Sequence, residues 1–457
     1  MNTNFNRSFK VLLFIGLLLI TIQSGVNYNK ISFNHLKSTL SSFRNYTSYF
    51  STINEENKMT EIDWSVTSCL SEKDGLGSFQ SEVAVDSYGN VHVTWYDDHG
   101  GYNKIQYRVF LRQKNIWSDI QTISNNSAKA LSYEPLITVD QKDRLHLCWW
   151  DCLDSMRLLY RYMIDNRWSE FFVVLQNGNV SAPYEIITNT NDSVLFFWNE
   201  QIGNSTELYY RSFSITTKEF SKVKQITNTS TYGPKPFSAI CDSHQRIHLV
   251  WEDKSLKMTN YEIHYQYYEN NEWQPDSPLI LSQIDNISDV NPKLGIDSND
   301  KLYLVWEHID DSLEVYYQFE ANDEWSESQK ISGSGNAWAA DIAIDKEDNF
   351  HVVYDENTWL IYKMKTINNE WSQPYNLTAY KSSFSLIFYP KVAVDRYRTI
   401  HIVWNDHTNT SAWEVYYIRG KIANDLLISK IQLFIVFSME ATGFLIIVLI
   451  FIKRLKR

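Results

Sequence analysis

The sequence predicts an all-β fold: a seven-bladed β-propeller ectodomain whose N-terminal strand closes the last blade, followed by a C-terminal transmembrane helix. Three observations carry this. A motif running from Asp or Asn to an aromatic nine residues later recurs seven times, with the aromatics 48 to 55 residues apart. A copy of the repeat's last strand stands alone ahead of the first repeat. An apolar run of 22 residues near the C-terminus ends in Lys-Arg-Leu-Lys-Arg.

From the N-terminus, residues 11 to 22, VLLFIGLLLITI, follow Arg7 and Lys10. Twelve apolar residues suit a signal-peptide core better than a membrane span, but no A-x-A cleavage pattern follows, so residues 1–25 read as a signal peptide or an uncleaved N-terminal anchor. Residues 26–60, rich in Asn, Ser, Lys and Tyr without sustained periodicity, read as a linker. Residues 61–420 are the repeat body, with 61–71 its closing strand.

The repeats align without a gap: VAVDSYGNVHVTW, ITVDQKDRLHLCW, IITNTNDSVLFFW, AICDSHQRIHLVW, LGIDSNDKLYLVW, IAIDKEDNFHVVY and VAVDRYRTIHIVW. They end on Trp95, Trp149, Trp198, Trp251, Trp306, Tyr354 and Trp404. Each reads as a short apolar strand, a turn opened by an Asx side chain that bonds the backbone two residues on, and a β-branched, aromatic strand. A third strand follows (KIQY, ELYY, EIHY, EVYY). A fourth begins at Trp117, Trp168, Phe220, Trp273, Trp325 or Trp371, usually with Ser next. One such unit cannot bury both faces, whereas a closed ring of seven can. The seventh unit lacks its fourth strand, and Trp64-Ser65 supplies it: Trp64 precedes Asp86 by 22 residues, within the 20 to 24 of the other such intervals.

These repeats resemble the sialidase-like, BNR-repeat superfamily of propellers and are similar also to the seven-bladed fucose-binding lectins. The resemblance implies the propeller fold over residues 61 to about 420. The S-x-D-x-G-x-T-W boxes and the F-R-I-P motif of sialidases are absent, and the Asp-aromatic motif here lies between first and second strands. No catalytic residue is assigned.

In a propeller the loops from second to third strand, and from fourth to the next first strand, open on one face. The second strands run into Asp97, Asp98, Asp151, Glu200, Glu252, Asp253, Glu307, Asp355, Glu356 and Asp406, which predicts an acidic rim there. Twelve of the 16 Trp keep the repeat register and read as core; Trp150, Trp338, Trp359 and Trp413 do not, and all fall in or beside the same loops. Carboxylates beside indoles suit neutral sugars, whose hydroxyls donate to the acid while an apolar face stacks on the ring. The same acids would suit Ca²⁺, although no D-x-D-x-D loop occurs, and no other cofactor is expected. The structural alternative is that the acids pair with strand ends or Lys and the indoles fill gaps between blades.

Repetition itself argues for structure at two further positions. Glu207, Glu262, Glu314 and Glu414 share one register, and His92, His146, His248, His351 and His401 share another, too far apart around a ring to form a zinc set. The thiols of Cys69, Cys148 and Cys241 fall in strands that do not meet; a small strained Cys148–Cys152 bridge and reduced thiols remain the two readings for that pair. Nine N-x-[ST] sequons, from Asn45 to Asn409, permit glycosylation.

The C-terminal run, residues 431–452, spans a ~30 Å hydrocarbon core with little tilt, and the basic residues 453–457 then stay cytoplasmic. Glu440 within it is either a contact to another membrane helix or a snorkelling carboxyl. The chain carries 42 Lys+Arg against 54 Asp+Glu, a net −12, and several of the cations sit at its two ends. So acidic a body repels phosphate backbones, which excludes nucleic acid as a partner. The expected protein is a single-pass cell-membrane protein with an extracellular propeller that binds a carbohydrate or a surface protein. The alternatives are a divergent sialidase-like glycoside hydrolase and a structural envelope protein.

Overall fold

Each Asx of the repeat folds back on its own turn, which sets the hairpin between first and second strands. Asp86 accepts from the backbone N–H groups of Tyr88 and Asn90 (2.9 and 2.8 Å), and the same pair of bonds recurs at Asp140, Asp242, Asp297, Asp345 and Asp395. The computed structural model describes residues 62–422 apart from 99, 125–130, 153–154, 177–179, 190–191, 204, 229–234, 255–259, 322–323, 368–369, 380–386 and 408–411. The chain divides into two units, Met1–Thr60 and Glu61–Arg457, and every described residue belongs to the second. The expected leader or anchor, linker, transmembrane helix and basic tail lie outside the described residues. Among those residues no helix is long and apolar enough to cross a membrane.

Seven antiparallel sheets form, one per repeat. Blade 1 comprises Ser78–Val85, Val91–Asp98, Asn103–Leu111 and a fourth strand split into Ile116–Trp117 and Gln121–Thr122. The first strands of successive blades contact one another right round, and the first strand of blade 7, Ile387–Val394, returns to that of blade 1. The ring is closed, and first strands line its axis.

The split in the fourth strand has a cause in the Trp-Ser pair. Ser118 Oγ accepts the N–H of Val109 (3.1 Å) and donates to Asp119 O, drawing the strand away from the ladder for a few residues. Ser169, Ser221, Ser326 and Ser372 repeat this, and so does Ser65, which accepts the N–H of Arg419 (3.1 Å) and donates to Val66 O (3.1 Å). The N-terminal segment is therefore a true fourth strand. Ile62–Trp64 pairs with the third strand of blade 7 in the register Trp64↔Gly420, and Ser68–Cys69 continues it at Cys69↔Tyr416.

Core clusters lie between blades. Val91, Val93 and Trp95 of blade 1 pack with Val403, Val415 and Tyr417 of blade 7 and with Leu70 of the closing strand. All seven register aromatics are at most 2% exposed. The register histidines are structural, as expected. In five blades His Nδ1 lies 2.7–2.9 Å from a third-strand Tyr hydroxyl, and the turn Asp lies 3.2–3.5 Å from Nε2. Burial pushes His146, His248 and His401 below the usual imidazole value despite the adjoining carboxylates. The register glutamates likewise fasten the blade edge: Glu207, Glu262 and Glu414 accept from Thr227, Ser282 and Ser71, and Glu314 pairs with Lys330. All four cysteines are free.

Candidate ligand-binding face

The expected open rim of acids is not what the second strands build. Asp97, Asp151, Glu252, Asp253, Glu307, Asp355 and Asp406 are all buried, and Asp98, Glu200 and Glu356 are half-exposed. Most stand one or two residues after the register aromatic, with Asp355 at the first position bonding within its own blade and Asp98 standing three after. One residue after the register aromatic, Glu252 Oε2 accepts from Asn291 N (2.9 Å) and Glu307 Oε1 from Ala339 N (2.7 Å), so each fastens the inner strand of the following blade. Asn405 does the same across the seam where the ring closes, accepting from Ser81 N (3.2 Å) and donating to Ser78 O (3.1 Å).

Two residues after the aromatic, the acid serves its own blade. Asp97 accepts from Ser78 Oγ (2.7 Å), Asp406 from the Trp404 indole N–H (3.2 Å), and Asp151 from Ser132 and Arg157. Half-exposed Asp98 and Glu356 accept from Gly101 N and Gly335 N. Two of these carboxyls titrate above the usual carboxylate range. Burial raises Asp355 to about 7, against one opposing bond from Thr358 N, and raises Asp253 to about 6.

Of the four off-register tryptophans, Trp150 is corrected outright. It is 1% exposed and meets the next blade's Tyr184 edge to face, with ring centroids 5.4 Å apart. Its position faces the neighbouring inner strand, where blades 4 and 5 carry Glu252 and Glu307, so an indole there fills the gap between blades. Trp359 is half-buried, opposite Glu356 in the blade 6 hairpin, and packs on the core between blades 5 and 6.

Trp338 and Trp413 converge. Both meet Phe388, Trp338 edge-on at 5.2 Å and Trp413 tilted at 4.9 Å, although they come from blades 6 and 7. Trp413 also approaches Phe79 of blade 1 at 6.4 Å, and Phe79 stacks on Tyr96 at 5.3 Å. A cavity of about 280 Å³ opens at the seam of blades 7 and 1, walled by Phe79, Tyr96, Phe388, Tyr389 and Trp413, with Trp338 behind Phe388. Gln80 and Asn405 supply its carboxamides. Its size falls just below the roughly 300–1,000 Å³ usual for ligand sites. A backbone feature shapes it: Gln80 (φ 49°) and Tyr389 (φ 51°) are left-handed residues within β-bulges of their inner strands, and Glu134, Asn291 and Ala339 repeat this in other blades. In these five inner strands the bulge adds a residue and re-aims a side chain.

A second axial register went unread in the sequence. Four residues before each Asx stand Glu82, Leu136, Glu185, Ser238, Lys293, Asp341 and Lys391, a ring of mixed charge. Lys391 of blade 7 pairs with Glu82 of blade 1 at 2.7 Å across the seam, and Asp341 accepts from Val392 N (2.9 Å). Burial raises Glu82 and Glu185. It would lower Lys391, but Glu82 and Asp341 hold that ammonium above the usual lysine value. The gap-free alignment contained this signal, since a Lys or Glu in an inner strand has to find a partner in the ring.

Asp242, His244 and Asp300 are the one group among the described residues whose ligand atoms lie within 4.8 Å of one another, on the opposite face. They belong to a repeated clasp between blades. Ser243 bonds Asp300 as Ser87 bonds Asp143 and Ser298 bonds Asp348, and Arg246 already occupies Asp242 at 2.6 Å.

No protein-family model matches the sequence, and no curated protein does. Solved structures do match in fold. A polysaccharide lyase, ulvan lyase, bound to -[GlcA(1-4)Rha3S]- is 8% identical, covers 76% of this chain and 95% of its own, and has a TM-score of 0.55. A protein of unknown function from Dyadobacter fermentans is 7% identical over 79% of this chain and 99% of its own, with a TM-score of 0.51. A Streptococcus pneumoniae sialidase is 11% identical over 80% and 71%, with a TM-score of 0.43. At such identities the likeness is one of fold, and the fold is the all-β, seven-bladed ring that the repeats predict.

Proposed function

We propose that the ring is a recognition module that binds a carbohydrate at the seam of blades 7 and 1. The observation that carries this is the cavity of about 280 Å³ walled by five aromatic rings. A half-exposed indole among phenyl and phenol rings offers a platform for the apolar face of a pyranose, and the Gln80 amide and two phenols supply hydrogen bonds to its hydroxyls. The fold-related ulvan lyase with its bound saccharide supports the ligand class. The same cavity favours binding over hydrolysis. A glycoside hydrolase needs two carboxyls about 5 to 5.5 or 6.5 to 9.5 Å apart at the bond, and the residues walling this cavity bring aromatic rings and amides.

The ring is carried on the outer cell surface by the apolar segment 431–452, with residues 453–457 inside; the sequence pattern supports this placement. Binding of the full-length chain to a glycan array, native against Trp413→Ala, tests the function. Native binding lost in the variant, with the melting profile little changed, is the expected result. Binding that survives the substitution places the site elsewhere, and absence of native binding overturns the reading.

A further inference from the structure

Resting on that reading, we infer that the seam pocket selects an uncharged pyranose and rejects sugars bearing a carboxylate or sulfate. The groups facing the pocket are uncharged: aromatic rings, two phenol hydroxyls and two carboxamides. Asn405 is committed at both ends to blade 1, so the hydroxyls of Tyr96 and Tyr389 and the part of the Gln80 carboxamide not bonded to Glu134 are offered to the ligand.

The charges that reach the pocket are negative. Asp98 stands half-exposed two residues from Tyr96 in the same strand, and Glu134, the bulge residue of blade 2, whose carboxyl is raised by burial, shares a hydrogen bond with Gln80. Both act on the pocket wall: the Tyr96 phenol is raised first by burial, then by Glu134, Tyr389 and Asp98. None of the described residues lining the pocket is a cation, and two cations of neighbouring strands are engaged, Lys391 with Glu82 and Arg157 with Asp151. His407, exposed beside the pocket, meets Trp413 with ring centroids 5.4 Å apart.

An anionic sugar entering here gives up its hydration without a cation to replace it and approaches two carboxylates. A neutral sugar meets neither cost. The -[GlcA(1-4)Rha3S]- chain held by the ulvan lyase is thus the kind of ligand this pocket turns away.

The test presents the full-length chain, at pH 6 and at pH 8, with an array of neutral glycans beside their sialylated, uronate and sulfated counterparts. Calorimetry then follows on the best matched pair. Signal confined to neutral members is expected, with the anionic counterpart weaker by about tenfold or more at ~0.15 M salt and the gap narrowing as salt screens the repulsion. Gln80→Lys should narrow the gap several-fold by adding a cation at the wall; a variant that binds the anionic member no better than the native chain contradicts the charge argument. Equal or stronger native binding of anionic glycans overturns the selectivity and leaves carbohydrate recognition standing. No binding by either class overturns both.

Discussion

Replacing Trp64 by Ala removes the indole that anchors the closing strand. Its ring meets Tyr362 of blade 6 edge to face at 5.1 Å and Tyr375 at 6.2 Å, and it packs on the core cluster shared by blades 6 and 7. Large aromatic truncations in cores cost about 3–5 kcal/mol, and aromatic pairs add about 0.5–1.5 kcal/mol beyond buried area. Because Trp64 is half-buried rather than enclosed, about 3 kcal/mol is expected. Gly420 makes the same point from the opposite strand: a Cβ there would come within 2.7 Å of the indole, so Gly420→Ala should also destabilise. Guanidinium titration of the propeller's tryptophan fluorescence measures both, with Val66→Ala, at an 88% exposed position of the same segment, as the control expected within about 0.5 kcal/mol. If Trp64→Ala tracks the control, the N-terminal strand does not hold the ring shut and the closure argument fails.

Other outcomes follow from single contacts. The native state holds the Asp355 proton up to about pH 7, whereas the unfolded chain releases it near the usual 3.8. The native state therefore binds the extra proton between those values, and stability from this site falls as pH rises through them. Asp355→Asn, which keeps an acceptor for Thr358 N, should match the native melting temperature near pH 4 and exceed it increasingly up to pH 8; a difference independent of pH would count against the assignment. Lys391→Met leaves Glu82 without its partner at the seam and should cost about 3–5 kcal/mol, much of it recovered in the Lys391→Met, Glu82→Gln double variant. Additive effects in that cycle would show that the pair is not coupled. Ser65→Ala loses the bond to Arg419 N and should cost about 1 kcal/mol by the same titration.

Fold and site were unequally legible, for a physical reason. Seven gap-free copies fix blade number and register, and Trp64-Ser65 carries the chemistry of a fourth strand, a serine that must bond the neighbouring strand's N–H. Closure was readable two residues at a time. Burial was not. An acid at the end of a second strand looks the same in sequence whether it meets solvent or, like Glu307, caps the bulge of the next blade. The expected rim therefore turned inward, and Trp150 with it. Trp413 was legible as an exception to the register, but its partners were not: Phe79, Phe388 and Tyr389 come from two inner strands that adjoin at the seam yet lie almost the whole repeat body apart in sequence. Their common signal is the pair of positions seven and six before the Asx, where Phe79 and Phe388, then Gln80 and Tyr389, stand, and only the bulge in the structure reveals that both positions line one pocket.

The proposed seam site would give one site per chain, whereas sites repeated in every blade would give up to seven. Calorimetric titration of the full-length chain with the best neutral glycan from the array is therefore the most direct measurement. A stoichiometry of one, abolished by Trp413→Ala and retained in Trp359→Ala, is the predicted result. Several sites per chain, or full binding by Trp413→Ala, would contradict the account.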